Sequence, residues 1–114
     1  MPNARVELVV PVYNGAAHLR ECLESILAQT YRDWRTTIVD NCSTDGTAGI
    51  ADEFARRDPR YRVVHCTEFV GQAENYNRAL SLASPEAEYV NIIEGDNWIT
   101  PDSLARKVAV AESD

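Results

Sequence analysis

Several features that would assign this chain to a common class of protein are missing from its 114 residues. No apolar run approaches the roughly 18 residues that a membrane helix needs, so the sequence predicts no membrane segment. The opening residues, MPNARVELVV, lack the long apolar stretch of a signal peptide. Together these absences favour a cytoplasmic location.

Positive charge is also scarce. The chain has 11 Lys and Arg against 18 Asp and Glu, which gives a formal net charge of -7. The basic patch with which many proteins bind nucleic acid is absent, so we expect no nucleic-acid partner. An acidic protein can still hold an anionic ligand locally, through main-chain amides or a metal ion.

The cysteines are few and do not form a recognised pattern. Cys22, Cys42 and Cys66 contain no C-x-x-C pair, so neither a zinc ribbon nor a thioredoxin motif is indicated. Cys22 and Cys66 stand in apolar patterns and are predicted to be buried thiols, whereas Cys42 lies in a polar loop. Neither His18 nor His65 has the arrangement expected of a catalytic partner for Cys42.

Two glycine-rich nucleotide motifs are absent as well. No G-x-G-x-x-G follows the first predicted strand, which argues against a dinucleotide-dependent dehydrogenase. No G-x-x-x-x-G-K-[ST] is present, which excludes a P-loop. A phosphorylatable receiver domain would need an acidic pair after the first strand, where this chain has PVYNG.

Strand and helix patterns alternate along the whole chain. Continuous apolar or β-branched runs predict strands at 6–12, 36–40, 61–66 and 88–93, and helical periodicity predicts helices at 18–29, 47–57 and 72–84. A fourth helix is predicted to start with Thr100 as N-cap and Pro101 as its first residue. This order implies βαβ units and a Rossmann-like α/β fold, with a mostly parallel four-stranded sheet flanked by about four helices.

No closing strand follows the last predicted helix. We therefore expect residues 1–114 to be a single domain and the N-terminal part of a longer protein.

The helical periodicity also predicts which faces are buried. The first helix is expected to bury Leu19, Cys22, Leu23, Ile26 and Leu27. The third helix is expected to bury Ala73, Tyr76 or Asn77, Leu80 and Ala83. Trp98 and the isoleucines at 92 and 93 are assigned to the core.

Polar residues follow each predicted strand. They are Tyr13, Asn14 and Gly15, then Asp40, Asn41, Ser43 and Asp45, then Glu68 and Gly71, and finally Glu94, Asp96 and Asn97. Ligands of open α/β sheets bind outside the carboxyl ends of the strands, and these residues are mostly acceptors. Such an edge suits a divalent cation, a base edge and sugar hydroxyls better than a bare phosphate. Taken singly, YNG and EGDN are also ordinary turns, and STDGT is an ordinary helix N-cap loop.

Taken together, these segments are similar to one family. VELVVPVYNGAAHLRECLESILAQTYRDWRTTIVDNCSTDGT closely resembles the N-terminal signature of family 2 glycosyltransferases with the GT-A fold. The likeness continues through GQAENYNRALSLA and EYVNIIEGDNWITPDSL, and so covers roughly residues 6–104.

The resemblance implies transfer of a sugar from a nucleotide-diphosphate donor to an acceptor hydroxyl, with inversion at the anomeric carbon. It places Pro11 and Tyr13 at the base pocket, with the Tyr13 ring stacked on the base, and Val12 in the nucleotide-sugar site. It places Asp40 and Asn41 at the base edge and ribose. A UDP-sugar is favoured as donor, and a saccharide, lipid or small molecule is expected as acceptor.

The resemblance also supplies the remaining candidate residues. Asn14 and Asn77 are candidates for hydrogen bonds to the ribose or to the loop that holds it. The D-x-D motif of the family falls on Glu94, Gly95 and Asp96, with Asp96 as the main ligand for Mg²⁺ or Mn²⁺ and Glu94 as a second. A divalent cation suits oxygen ligands and stabilises the charge that develops on a departing diphosphate. On an extended segment, Glu94 and Asp96 would face the ligand together.

Four positions depart from the common pattern of the family. Glu94 replaces the first Asp of D-x-D, and Asn97 stands where many members have a further Asp. Asn41 replaces the second of two Asp after the second strand, so it would accept from a base N–H without a charge. Tyr76 stands where many members have an Arg near the diphosphate, with Arg78 on another face of the helix.

The catalytic base of the family lies in its second half, and no residue here is identifiable as that base. We therefore expect the chain alone to bind nucleotide weakly and to be inactive, and other segments could bring the protein to the inner face of the membrane. Two alternatives stay open. A nucleotidyltransferase-like enzyme would usually show a glycine-rich, basic loop after the first strand, unlike YNGAAHLRE. A degenerate domain that binds a ligand or partner without chemistry is compatible with Glu94 and Asn97.

Overall fold

Strands and helices alternate in the structure, a computed structural model that describes residues 5–112. The strands are β1 (Val6–Val12), β2 (Trp34–Asp40), β3 (Tyr61–His65) and β4 (Tyr89–Ile92). The helices are α1 (Ala16–Leu27), α2 (Thr47–Arg57), α3 (Gln72–Ser81) and α4 (Ser103–Glu112). Within the described residues, no helix has the length and apolar character needed to cross a membrane.

The four strands form one parallel sheet in the order β3-β2-β1-β4. β1 pairs with β2 along its whole length and with β4 from Val6 to Val9. Its seven residues are all buried, as expected for a parallel strand covered on both faces. The predicted α/β fold class is therefore confirmed.

Helices cover the two faces of the sheet unequally. The larger core joins alternate residues of β1 to apolar residues of α1, α2 and α4, among them Leu19, Leu23, Phe54 and Leu104. On the opposite face, α3 packs Ala79 against Val9 and Val39 in a smaller core. The chain thus runs outward from β1 to β3 and then returns to place β4 on the other side of β1. This reversal creates a switch point, where ligands of such sheets bind.

The buried face of α3 differs from the prediction. The helix buries Asn75 and Ala79, while Ala73, Asn77 and Leu80 are exposed. α3 has too few apolar residues for helical periodicity to indicate which of its faces is buried. A polar side chain, Asn75, occupies the position that apolar periodicity would have assigned to a hydrophobic residue. Tyr76 and Ala83 are only partly buried.

Three smaller predictions were wrong: the start of α4, the burial of Trp98 and the burial of Cys66. α4 starts at Ser103, after a turn in which the Thr100 carbonyl accepts from the Ser103 N–H at 3.0 Å and the Pro101 carbonyl accepts from the Thr30 N–H at 2.8 Å. Trp98 is exposed.

Cys66 is only half-buried, whereas Cys22 is fully buried as predicted. The buried Ile93 agrees with its assignment to the core, and Ile92 packs from a partly buried position.

A buried glutamine fixes the segment that follows β4. Gln29 is 1% exposed, and its Nε2 donates to the carbonyls of Ser25 (3.1 Å) and Thr100 (2.7 Å). Its Oε1 accepts from the main-chain N–H of Leu104 at 3.0 Å. One side chain therefore holds the end of α1 to the beginning of α4.

Replacing this glutamine tests the connection. Gln29→Met keeps the length of the side chain but removes the buried acceptor of the Leu104 N–H and the donor to the Ser25 and Thr100 carbonyls. We expect the free energy of unfolding to fall by about 2 kcal/mol or more, measured by urea denaturation. The matched control Gln72→Met, at an exposed position of α3, should change it by less than about 0.5 kcal/mol. Equal losses in the two variants would contradict the role given to Gln29.

Candidate functional site

A cavity of about 490 Å³ opens at the carboxyl end of the sheet, at the switch point. Its walls come from the turn after β1, the end of β2, the β3–α3 loop, the start of α3 and the turn after β4. The lining residues are Pro11, Val12, Tyr13, Asn14, Gly15, His18, Asn41, Phe69, Val70, Gln72, Asn75, Tyr76, Glu94, Gly95 and Asp96. Its volume lies within the range of about 300–1,000 Å³ typical of small-molecule sites.

Most of the residues predicted for a sugar-nucleotide site meet in this cavity. Pro11, Val12, Tyr13, Asn14, Asn41, Glu94, Gly95 and Asp96 all line it. Asp40 and Asn77 do not. Asp40 is 3% exposed behind the cavity, and Asn77 is on the exposed side of α3. The ligand-binding roles of all ten residues stay predictions.

The turn after β1 is tied to the loop after β2 through Asn14. The Asn14 main-chain N–H donates to Ser43 Oγ at 2.9 Å, and its Oδ1 accepts from the Thr44 N–H at 2.8 Å. Asn14 has a φ of 48°, in the left-handed region that asparagine tolerates better than most residues. Its carboxamide therefore holds a loop, which is one of the two roles considered for it.

The amides at the start of α1 are also occupied. The Gly15 N–H donates to Thr47 Oγ1 at 2.9 Å, and the Ala16 N–H donates to Asp45 Oδ2 at 3.2 Å. Asp45 Oδ1 accepts from the hydroxyl (2.5 Å) and the N–H (3.0 Å) of Thr47. The N-terminus of α1 is therefore not left open as a phosphate cradle of the P-loop kind.

These hydrogen bonds predict a pH dependence. The Thr47 hydroxyl lowers the pKa of Asp45, with smaller contributions from the Thr47 and Ala16 amides. A folded-state pKa below the ordinary 3.8 means that the carboxylate stabilises the fold above that value and loses this effect as the pH falls through the lowered pKa. Asp45→Asn should lower the melting temperature at pH 7, and the difference from wild type should shrink by about pH 2.

A charge-matched control separates this effect from net charge. Glu21→Gln removes the same charge from an exposed position of α1. Thermal melts followed by circular dichroism should show a smaller change at pH 7 for this variant. A pH-independent difference between Asp45→Asn and wild type would contradict the assignment.

Val12 fills the space between the two turns that meet at the cavity. A Cβ atom on Gly15 would lie 2.6 Å from Val12 Cγ2, and one on Gly95 would lie 2.9 Å from the same methyl group. Neither glycine has a positive φ, so close approach rather than backbone conformation requires glycine here. Val12 and Gly95 thus set the separation of the cavity walls.

Gly95→Ala should therefore destabilise the protein. Forcing a methyl group against Val12 is expected to lower the free energy of unfolding by about 1–3 kcal/mol. Adding Val12→Ala to this variant should cost less than Val12→Ala costs in wild type, because it makes room for the new methyl group. The matched control Gly49→Ala has open space around it on α2 and should stabilise by up to about 1 kcal/mol. Urea denaturation of Gly95→Ala, Val12→Ala, the double variant and Gly49→Ala would test this. If the two single losses of unfolding free energy simply add in the double variant, the close contact is contradicted.

The acidic segment after β4 is a β-turn. The Asn97 N–H donates to the Glu94 carbonyl at 3.0 Å, so the extended geometry expected for this segment was wrong. Both Glu94 and Asp96 nevertheless line the cavity and are exposed. Beneath the turn, the thiol of Cys22 contacts the Glu94 carbonyl at 3.7 Å, and burial raises the pKa of Cys22 to about 12. This cysteine is thus a neutral thiol under the acidic turn.

The acidic pair could hold a cation only with help from a ligand. Within residues 5–112, no group of three or more His, Cys, Asp or Glu side chains is placed to bind a metal by itself. Two neighbouring carboxylates at an open cavity fit Mg²⁺ or Mn²⁺ when phosphate oxygens and water complete the coordination shell. The donor chemistry of Glu94 and Asp96 is therefore compatible with the predicted metal.

Tyr76 presents a hydroxyl on the same side of the cavity. Gln72 Nε2 donates to this hydroxyl at 3.3 Å. Burial raises the pKa of Tyr76, and the nearby Glu94 and Asp96 raise it further, so the phenol is neutral at physiological pH. A neutral donor thus stands where many family members carry an arginine.

Two aromatic rings meet at the mouth of the cavity. Tyr13 and Phe69 are 49% and 58% exposed, and their ring centroids are 5.0 Å apart in an edge-to-face arrangement. Phe69 was not among the residues predicted for the site. Its signal was an aromatic residue within the polar loop that follows β3, on the edge where ligands of such sheets bind.

Asn41 is engaged with the β3–α3 loop. Its Nδ2 donates to the Val70 carbonyl at 2.8 Å, and its Oδ1 accepts from the Val70 N–H at 3.1 Å. Arg78 Nη2 also donates to this Oδ1 at 2.9 Å. The oxygen expected to accept from a base N–H therefore already has two donors, which leaves one N–H of the Asn41 amide for a ligand.

Asp40 is held by protein groups behind the cavity. Its Oδ1 accepts from the Ser43 N–H at 3.1 Å, and its Oδ2 lies 3.4 Å from His65 Nδ1. His65 Nε2 lies 2.9 Å from Asp52 Oδ1, and the hydrogen bond to Asp52 is the main cause of the raised pKa of His65. Asp40 thus supports the end of β2 from within.

The all-parallel sheet, its helices and this cavity define the class as a Rossmann-like α/β fold of the GT-A type. The family model described as Glycosyl transferase family 2 matches residues 7–114. The chain therefore belongs to glycosyltransferase family 2, and the resemblance noted in the sequence is confirmed.

Individual relatives agree with this assignment. Glycosyltransferase GlyG of Streptococcus pneumoniae serotype 4 is 39% identical over 99 residues, which are 87% of this chain and 32% of that protein. The crystal structure of S. aureus TarS 1-349 in complex with UDP superposes with a TM-score of 0.85 at 26% identity, covering 96% of this chain and 32% of that one. The mannosyltransferase PcManGT of Pyrobaculum calidifontis, in complex with GDP-Man and Mn²⁺, gives a TM-score of 0.79 at 34% identity, covering 95% and 32%. This chain thus spans about a third of the length of these relatives.

Proposed function

We propose that this chain binds the nucleotide-diphosphate part of a sugar donor in the cavity at the switch point, together with Mg²⁺ or Mn²⁺, for glycosyl transfer. The observation that carries the proposal is that one cavity presents an exposed aromatic pair, Tyr13 and Phe69, and an acidic pair, Glu94 and Asp96. Aromatic rings suit a base, and carboxylates suit a cation that accompanies phosphates. Membership of the glycosyltransferase family favours this over a nucleotidyltransferase.

At the base end, Tyr13 is proposed to stack on the nucleobase. The free N–H of Asn41 suits a carbonyl or ring acceptor on the base edge. UDP is our first choice of nucleotide, because TarS is described with UDP and with UDP-GlcNAc. GDP is the second choice, because PcManGT is described with GDP-Man.

At the diphosphate end, the cavity offers little positive charge of its own. Among the residues that line it, all within the described part of the chain, none is Lys or Arg. Three successive amides at the turn before α1, those of Asn14, Gly15 and Ala16, already donate to loop side chains. A divalent cation at Asp96 and Glu94 would offset the phosphate charge and the charge that develops as the sugar leaves.

The side chains around the acidic pair then have separate roles. Asp96 and Glu94 are the proposed metal ligands, and the neutral hydroxyl of Tyr76 is a proposed donor to a diphosphate oxygen. Inversion at the anomeric carbon and an acceptor of the saccharide, lipid or small-molecule class are part of the proposal by resemblance. We assign the general base to no residue of the described part.

Calorimetry with UDP and GDP, each with and without Mn²⁺, tests the proposal directly. We expect UDP to bind, and to bind at least tenfold more tightly (about 1.4 kcal/mol) when Mn²⁺ is present. Asp96→Asn should remove most of this enhancement and leave the circular dichroism spectrum unchanged. The matched control Asp102→Asn, on the exposed turn before α4, should keep it.

Two results would count against the proposal. A folded protein that binds neither nucleotide with Mn²⁺ would favour a degenerate domain that binds a partner. Enhancement that survives in Asp96→Asn would move the metal to other ligands.

A further inference from the structure

Arg78 makes a set of hydrogen bonds that the proposed function does not use. From α3, its Nη1 donates to the Glu68 carbonyl at 3.0 Å and its Nη2 to Asn41 Oδ1 at 2.9 Å. Its Nε (3.2 Å) and Nη2 (2.7 Å) also donate to Oδ1 of Asn75, which is 4% exposed. Most of its N–H groups are thus directed at neutral oxygens within the protein, and Arg78 is not among the residues that line the cavity.

The groups held by Arg78 fix the β3–α3 loop at successive points. Arg78 holds the Glu68 carbonyl, and Asn41 holds both the N–H and the carbonyl of Val70. The next residue, Gly71, accepts from the Asn75 N–H at 2.9 Å in the first turn of α3. Because a guanidinium group has no acceptor, the contact with Arg78 also sets which atom of the Asn41 carboxamide faces it.

Phe69 lies between two of these held residues. Its side chain is 58% exposed and its edge-to-face contact is with Tyr13, at the mouth of the cavity. The hydrogen bonds on either side of Phe69 therefore decide where its ring stands. An exposed ring held in place beside a second ring provides a surface that a planar base can cover.

We propose that Arg78 is a positioning residue for the base end of the cavity. It holds Asn41, Asn75 and the Glu68 carbonyl so that the β3–α3 loop presents Phe69 beside Tyr13 as a wall for the nucleobase. The inference rests on the proposed nucleotide-binding function. It assigns no phosphate contact to Arg78.

Conservative variants at two arginines separate positioning from general stability. Arg78→Lys keeps the positive charge, but one ammonium group cannot bridge the three acceptors in the same geometry. The matched control is Arg62→Lys. Arg62 donates to Thr37 Oγ1 (3.1 Å) and to the Leu82 carbonyl (2.8 Å), so it also joins α3 to the sheet through neutral oxygens, but away from the cavity.

The first measurement needs no ligand. Amide hydrogen exchange at Val70 reports directly on its hydrogen bond to Asn41. We expect exchange about tenfold faster in Arg78→Lys than in wild type, and unchanged exchange in Arg62→Lys.

The second measurement compares two probes, UDP and inorganic diphosphate, each titrated in the presence of Mn²⁺. Arg78→Lys should weaken UDP about tenfold and change diphosphate by less than about twofold. Phe69→Ala, at an exposed position outside both apolar cores, should show the same selective loss. Arg62→Lys should bind both probes as wild type does.

Three outcomes would overturn the inference: unchanged exchange at Val70 in Arg78→Lys, equal weakening of both probes, or unchanged UDP affinity despite faster exchange. If wild type binds GDP but not UDP, GDP replaces UDP as the probe. If wild type binds neither nucleotide, the proposed function fails and exchange alone decides. Faster exchange would then still support the hold of Arg78 on the loop, and unchanged exchange would refute it.

Discussion

The structure depends on the burial of β1 between two hydrogen-bonded neighbours. Because β1 pairs with β2 on one side and β4 on the other, its carboxyl end lies at the reversal of strand order. Val12, the last residue of β1, fills the space beside Gly15 in the turn after β1 and beside Gly95 in the turn after β4. The apolar core thus determines how far apart the two polar walls of the cavity stand.

Elements rich in apolar residues could be predicted from sequence, and those with few could not. The unbroken apolar run of β1 and the regular periodicity of α1 and α2 leave little choice of structure. The buried face of α3 depends instead on Asn75, whose side chain accepts from Arg78. Arg78 in turn donates to Asn41, the residue that follows β2. Hydrogen bonds between residues far apart in sequence carry no local pattern.

The candidate site shows the same division. The position of the cavity and its acidic turn could be predicted, because the ends of parallel strands meet at one edge of the sheet. The sequence could not show which of two adjacent residues lines the cavity. Asn41 lines it, while Asp40 faces His65 behind it. Phe69 was missed because its place follows from the distant contact between Asn41 and Val70.

The way in which Asn14 and Gly15 are held bears on the chemical ageing of the protein. An asparagine followed by glycine loses its amide when the glycine nitrogen attacks the side-chain carbon to form a succinimide, and such asparagines are thermolabile. Here the Asn14 carboxamide is bound to Thr44, and the Gly15 nitrogen donates to Thr47. The fold therefore keeps the nucleophile and its target engaged elsewhere. The rate of deamidation at Asn14 should therefore depend on how often the hydrogen bonds at this rim of the cavity open.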